Sequence, residues 1–177
     1  MPTTKKTSSK SAKSAAPKAP AKPALTGLAA YFDEALFLPE LKSKNKAEAF
    51  EEMVDALCAT LGKQHKQTLL SMLHHREMLG TTGIGRGVAI PHGRTLLTRH
   101  LRVVFGRSKA GIDYGARDNE PVNLIFLVVA PFQDRGNVYL PTLGKLVELV
   151  RAKPNRDKLM EIETFDQFVE ALSAPTA

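Results

Sequence analysis

The sequence predicts an α/β fold, in which one small mixed β-sheet is flanked by helices and preceded by a disordered basic tail. Two observations carry this prediction. Several segments have apolar residues at helical spacing, and short runs rich in Leu, Val and Ile lie between them. These segments are spaced too irregularly for a strict alternation of strand and helix, so a mixed sheet is expected. The 177 residues suffice for a single domain of ordinary size.

The first 24 residues differ from the rest in composition. They hold six lysines and no acidic residue, so most of the net charge of +7 belongs to this tail. Because Lys, Ala, Pro, Ser and Thr offer little surface to bury, we expect residues 1–24 to be disordered and residues 25–175 to form the domain. A weak, salt-dependent contact between this basic tail and nucleic acid is possible. It lacks the apolar stretch of a secretory signal, and no run is long enough to span a bilayer, so a cytoplasmic protein without membrane insertion is expected.

A short strand and two helices come first in the domain. The apolar residues 35–38 predict the strand. Asn45 and Glu48 have the spacing of a capping box, and the apolar positions after them predict a helix to residue 61. A second helix is predicted over residues 66–79, before a glycine. Its inner side should comprise Leu69, Met72, Leu73 and Leu79.

Three strands and two helices follow. The strands are predicted over residues 88–90, 101–105 and 122–130. The last of these is apolar nearly throughout, which is typical of a central strand covered on both faces. Residues 111–121 form a polar connection. A third helix is predicted from about Val138 to Pro154, and Thr164 with Gln167 predicts the cap of a final one. The inner side of the third helix should comprise Leu140, Leu143, Leu146, Val147 and Val150.

Metal and disulfide chemistry are not indicated. The single cysteine, Cys58, excludes an internal disulfide and a Cys-based zinc site, and its place on an apolar helix face predicts a buried, inert thiol in a reducing compartment. His74 and His75 are adjacent on a helix and point in different directions, so they make a poor metal pair. No cofactor is expected.

The segment over residues 76–94 carries the chemistry. Its glycines follow a helix and precede a strand, the reverse of a dinucleotide-binding turn. His92 lies between a proline and a glycine after an apolar strand, and Arg76 and Arg94 could bind phosphate oxygens near it. A neutral imidazole is a nucleophile near pH 7. From spacing alone, a structural or surface histidine remains the commoner interpretation.

This segment resembles the active-site signature of the fructose, mannitol and nitrogen-type enzyme IIA proteins of the bacterial phosphotransferase system. Their Arg-Glu-x-x-Gly-Ser/Thr-Thr-Gly-Ile-Gly run is matched by residues 76–85, and their Ala-Ile-Pro-His motif by residues 89–92. The similarity extends over roughly residues 25–173.

The resemblance implies a role for each matched residue. His92 would be the phosphorylated residue, receiving phosphate from the small phosphocarrier protein of the pathway (HPr-like or NPr-like). Arg76, Thr81 and Thr82 would lie near the phosphoryl group. The family needs no metal.

One position departs from the family pattern. Members that pass phosphate onward usually have a second histidine before a Leu-x-x-Leu helix start, and here Tyr139 precedes Leu140-Pro141-Thr142-Leu143. A tyrosine can donate to a phosphate oxygen but cannot act as an imidazole near pH 7. Together with the lack of a fused IIB or IIC segment, this favours a nitrogen-type regulatory role. One alternative is a sugar-transport IIA protein, a phosphotransferase component that passes the phosphoryl group to a sugar-specific IIB domain. Another alternative is a nucleic-acid-associated protein that uses its basic tail.

Overall fold

The computed structural model describes residues 26–173. The predictions for the basic tail, residues 1–24, fall outside that range. The described part contains a six-stranded mixed sheet with helices on both faces, which confirms the predicted α/β class. The strands are β1 Phe32–Leu38, β2 Gly83–Gly85, β3 Val88–Ala89, β4 His92–Thr95, β5 Arg102–Ile112 and β6 Val122–Pro131. The α-helices are α1 Lys46–Leu61, α2 Lys66–Met78, α3 Tyr139–Arg151, α4 Lys153–Glu161 and α5 Phe165–Ser173, and 3-10 turns cover Gly27–Tyr31 and Lys63–His65.

Strand β6 lies at the centre of the sheet, as its continuous apolar sequence predicts. It pairs antiparallel with β5 and parallel with β3 and with β4, while β1 extends the sheet beyond β5 and β2 beyond β3. Successive β6 side chains alternate between two apolar cores, one under α1 and α2 and the other under α3, α4 and α5. Both faces of this strand are therefore buried.

The predicted helix caps are present. At the start of α1, the Glu48 backbone N–H donates to Asn45 Oδ1 at 3.0 Å, and the Glu48 carboxylate accepts from the Lys44 N–H at 2.8 Å. At α5, Thr164 and Gln167 exchange the two hydrogen bonds of a capping box. Cys58 is 3% exposed on the inner face of α1, which confirms its predicted burial.

Strand β5 is longer than predicted. It continues seven residues past Phe105, and its pairing with β6 reaches Ile112. Within this extension Arg107, which a polarity pattern assigns to the surface, is buried at 1% exposure. Its guanidinium donates to the carbonyl oxygens of Pro39, Met160 and Ile162 at 2.5–2.7 Å. The buried charge is thereby hydrogen-bonded, and it ties β5 to the loop after β1 and to the end of α4.

Helix α4 is absent from the sequence prediction. Pro154 does not close α3, which ends at Arg151; it lies in the first turn of α4, where a proline costs no hydrogen bond. The prediction that Leu79, Leu140 and Val147 face inward is wrong, because these side chains are 75%, 68% and 45% exposed. Over residues 26–173, no helix has the length and apolar character needed to cross a membrane.

Candidate functional site

His92 follows β3, as predicted, and also begins β4, which the sequence does not indicate. Its Nδ1 lies 2.7 Å from the Ile90 carbonyl oxygen, and its Nε2 lies 3.1 Å from Nε of Arg76. A carbonyl oxygen can only accept a hydrogen bond, so Nδ1 must carry the ring proton in this arrangement. The lone pair of Nε2 therefore faces the Arg76 guanidinium.

The imidazole of His92 is held in its neutral form. Burial has the largest effect and lowers its pKa below the ordinary value of 6.5. The Ile90 hydrogen bond opposes this, the positive charge of Arg76 adds to it, and the negative charge of Glu77 opposes it more weakly. At neutral pH the ring is thus unprotonated at Nε2. A neutral imidazole with a fixed tautomer and an unprotonated Nε2 is a nucleophile once the hydrogen bond from Arg76 is exchanged.

Arg76 is positioned by the end of α2. Besides its contact with His92, its Nη1 donates to the Gly80 carbonyl oxygen at 3.0 Å, which fixes the guanidinium over the turn that follows the helix. A guanidinium has five N–H donors, so three remain after these two bonds. Those donors can bind the oxygens of an anion attached to Nε2.

Glu77, which the sequence analysis does not single out, organises the same turn. Its carboxylate accepts from the backbone N–H and the hydroxyl of Thr82 at 3.0 and 2.6 Å, and it pairs with Lys46 Nζ at 2.8 Å. Burial disfavours its charge, but the hydrogen bonds from Lys46 and Thr82 outweigh burial and leave the pKa of Glu77 below its ordinary value. The buried Thr82 hydroxyl also lies 2.8 Å from the Tyr114 hydroxyl.

The two threonines of the motif bind the turn rather than His92. Thr81 Oγ1 donates to the Gly115 carbonyl at 2.9 Å and accepts from the Gly83 N–H at 3.2 Å. A Cβ on Gly83 would lie 2.8 Å from Cα of Ala116, so glycine is required for this close approach. Both threonines therefore fix the segment between α2 and β2, and with it the end of α2 that carries Arg76.

Tyr139, at the first position of α3, lies beside His92. The two ring centroids are 6.2 Å apart at an interplanar angle of 61°, and Cζ of Arg94 lies 4.9 Å from the tyrosine ring centroid. The Asp134 carboxylate accepts the backbone N–H groups of Val138 and Tyr139 at 3.1 and 2.9 Å and so caps the helix. Burial raises the pKa of Tyr139, and its hydroxyl remains a donor.

The described residues thus bring His92, Arg76, Arg94 and Tyr139 together. The supporting Glu77, Lys46 and Tyr114 were missed, although Glu77 stands inside the Arg-Glu motif. In the part of the chain that the structure describes, no three His, Cys, Asp or Glu side chains are grouped so that they could hold a metal ion. The arrangement offers a neutral nucleophilic nitrogen in contact with the Arg76 guanidinium, with a second guanidinium, that of Arg94, on the adjoining tyrosine ring, which suits covalent attachment of an anion.

A protein-family comparison agrees with this geometry. Residues 30–174 match the model described as "Phosphoenolpyruvate-dependent sugar phosphotransferase system, EIIA 2". A nitrogen regulatory protein of Bradyrhizobium diazoefficiens is 34% identical over 140 residues, which cover 79% of this chain and 90% of that protein. The fructose-specific EIIABC component of Bacillus subtilis is 32% identical over 133 residues, 75% of this chain but only 21% of that much longer protein.

A solved structure gives the same result at the level of the fold. The nitrogen regulatory protein IIA-Ntr of Neisseria meningitidis superposes with a TM-score of 0.76 and is 28% identical, with 82% of this chain and 99% of that chain covered. The family match spans almost all of the described residues, including both sides of the His92 site. The chain therefore belongs to the EIIA type 2 family of the phosphoenolpyruvate-dependent sugar phosphotransferase system, and it is similar both to nitrogen-type and to fructose-specific members.

Proposed function

We propose that this chain carries a phosphoryl group on Nε2 of His92, accepts it from an HPr-like or NPr-like phosphocarrier protein, and acts as a regulator of the nitrogen type. One observation carries the proposal: Nδ1 is tied to the Ile90 carbonyl while Nε2 points its lone pair at Arg76. This tautomer leaves a single nitrogen able to attack phosphorus. The same guanidinium stands ready to bind the arriving phosphate oxygens.

The transfer step needs no metal and no net proton movement on His92. The Nε2 lone pair forms the new bond to phosphorus as the bond from phosphorus to the donor breaks, and that bond's electron pair returns to the donor. Nε of Arg76 then exchanges its bond to Nε2 for one to a phosphoryl oxygen. Nδ1 keeps its proton throughout and donates it in a hydrogen bond to the Ile90 carbonyl oxygen, which holds the phosphorylated ring in one orientation.

The supporting residues act at two distances. The ring of Tyr139 packs against His92, and the Arg94 guanidinium, from the same face of β4, lies over that ring. Thr81 and Thr82 act through the turn they fix, because their hydroxyls are already bonded to Gly115 and Glu77. Phosphorylation therefore depends on them through the position of Arg76.

The surface around His92 suits docking of a protein donor. Three apolar side chains are exposed next to site residues: Met78, Leu79 and Leu140 are 78%, 75% and 68% exposed. Met78 and Leu79 follow Arg76 along the chain, and Leu140 follows Tyr139. Exposed apolar side chains at a site that must receive another protein's phosphoryl group provide the contact area that a transient complex needs.

Regulation is favoured over sugar transport by two observations. The nitrogen regulatory protein of B. diazoefficiens is matched over 90% of its length, and Tyr139 supplies no second imidazole for onward transfer. A phosphoryl group adds about −1.5 to −2 charges, enough to alter binding to a partner protein. The similarity to a fructose-specific component supports transport as the second candidate.

Phosphoryl transfer in vitro tests the proposal. The chain is incubated with phosphoenolpyruvate, enzyme I and the phosphocarrier protein, alongside His92→Ala and the control His75→Ala, whose side chain is exposed one residue before Arg76. An acid-labile, alkali-stable label on wild type and His75→Ala but not on His92→Ala is expected. Label on His92→Ala, or none on wild type beside a competent control IIA protein, would contradict acceptance at His92.

A second incubation separates the two candidate roles. The phosphorylated chain is purified and mixed with IIB domains of the fructose and mannitol types. Retention of the label on His92 supports the regulatory role. Rapid transfer to a IIB domain would contradict it and favour the transport role.

A further inference from the structure

Arg94 and His92 lie on one face of β4, two residues apart. The residue between them, Gly93, is on the opposite face, where the side chain of Met72 from α2 covers it. Tyr139 packs over the first face and touches both residues: its ring meets His92 edge to face and carries the Arg94 guanidinium on its own face. The three side chains thus form one contiguous group.

The Arg94 guanidinium has its donors free. Its one recorded contact within residues 26–173 is the Tyr139 ring, and no carboxylate among these residues pairs with it. A guanidinium stacked on an aromatic face keeps its N–H groups in the plane, directed outward.

We propose that Arg94 is a second cation for the phosphoryl group on His92, that the ring of Tyr139 is its positioning residue, and that this pair makes the chain retain phosphate. The inference rests on the proposed function, since it concerns the same phosphoryl group. It also gives a reason for a tyrosine at position 139, where family members that pass phosphate onward usually have a second histidine. An aromatic ring can hold a guanidinium by a cation–π contact, whereas a protonated imidazole would repel it.

The consequence is a shift in an exchange equilibrium. Phosphoryl transfer between the donor protein and His92 is reversible in principle, because one bond to phosphorus replaces another. A dianion on Nε2 between two guanidinium groups is more stable than one beside a single group, so the equilibrium moves toward the phosphorylated chain. Because Arg94 is exposed, solvent screens its charge, and the effect of removing it should be roughly threefold to tenfold in the equilibrium constant.

The measurement is the equilibrium ratio of phosphorylated to free chain, at fixed ratios of phosphorylated to free donor protein, for single variants. Arg94→Gln is expected to lower the constant by about threefold to tenfold at low salt, with a smaller loss at high salt. The constant of Arg94→Lys should lie between those of wild type and Arg94→Gln. Arg99→Gln is the matched control, since it removes an exposed arginine from the loop after β4, and it should leave the constant unchanged.

The tyrosine variants separate positioning from packing. Tyr139→Phe keeps the ring and should retain a higher constant than Tyr139→Leu, because the cation–π contact does not need the hydroxyl. Tyr139→Leu should fall to the level of Arg94→Gln, and the double variant should fall no further, since both changes remove the same contact. In 31P NMR, the phosphoryl group should titrate at higher pH in Arg94→Gln and Tyr139→Leu than in wild type or Arg99→Gln.

Two results would overturn the inference without touching the proposed function. If His92 is labelled but Arg94→Gln matches Arg99→Gln in both constant and 31P titration, Arg94 is not a phosphate cation. If Arg94→Gln lowers the equilibrium constant but Tyr139→Leu does not, and the thermal midpoint shows that Tyr139→Leu is folded, the tyrosine does not position Arg94. Absence of label on wild-type His92 would instead refute the proposed function itself.

Discussion

Replacing Gly93 by alanine should displace α2 from the sheet and disturb the Arg76–His92 contact. A Cβ at Gly93 would lie 2.7 Å from Sδ and 2.8 Å from Cγ of Met72. The terminal Cε lies at 3.0 Å as well, so the whole outer part of this side chain has to repack in the contact between β4 and α2. Met72 is one helical turn before Arg76, and its displacement is passed to the guanidinium that contacts Nε2.

The expected loss follows from overpacking. Inserting a methyl group into a closely packed contact costs about 1–3 kcal/mol of unfolding free energy. Gly144 is the matched control: it is exposed in α3 and a Cβ there meets nothing within 4 Å, so Gly144→Ala should stabilise by about 0.5–1 kcal/mol. The two glycine-to-alanine changes therefore have opposite expected signs.

Denaturant unfolding and the rate of His92 phosphorylation provide the two readouts. Gly93→Ala should lower the unfolding midpoint and slow phosphorylation, since small misplacements of a positioning group reduce rates strongly. Adding Met72→Ala to Gly93→Ala should restore much of the phosphorylation rate by opening space. A midpoint for Gly93→Ala equal to or above that of wild type would refute the claim that β4 and α2 require this close approach.

Three further predictions concern stability and docking. Arg107→Leu should lower the free energy of unfolding by about 2–4 kcal/mol, because three carbonyl oxygens lose their hydrogen-bond donor at about 1 kcal/mol each. Lys109→Met, on the exposed end of β5, should change it little in the same chemical denaturation. Equal effects of the two substitutions would contradict this. Since Glu77 has a pKa below its ordinary 4.5, the unfolded chain binds the proton first on acidification, so wild type should lose stability as pH falls below about 4.5 and Glu77→Gln should lose less; parallel profiles would contradict this. Leu79→Ser should raise the KM for the phosphocarrier without lowering the thermal midpoint, since this side chain is exposed, and an unchanged KM would remove it from the docking surface.

The parts of the fold that follow a local pattern could be predicted from the sequence. The capping boxes at Asn45 and Thr164 act within four residues, and the apolar run of β6 reports burial on both faces directly. Arg107 could not be predicted, because its burial depends on carbonyl oxygens from two segments more than 50 positions away in sequence. The start of α4 at Lys153 could not be predicted from the neighbouring Pro154, because proline is common both after the end of a helix and in the first turn of one.

The candidate site divides in the same way. His92 and Arg76 were indicated by the motif, and the position of Tyr139 by its spacing from a leucine pair. The role of Glu77 required the fold, because it depends on Lys46 from α1 and on the Thr82 hydroxyl, which in turn lies beside the Tyr114 hydroxyl. Leu79 was assigned inward from helical spacing, but α2 ends one residue earlier, so the periodicity no longer applied.

The most direct test of the account is a 15N NMR spectrum of the histidine rings before and after phosphorylation by the donor protein. Before transfer, His92 should show a protonated Nδ1 and an unprotonated Nε2 at neutral pH, as its contacts with Ile90 and Arg76 require. After transfer, coupling to phosphorus should appear on Nε2 of His92 alone. A proton on Nε2 in the free protein, or phosphorus on Nδ1 or on another histidine, would contradict the central claim.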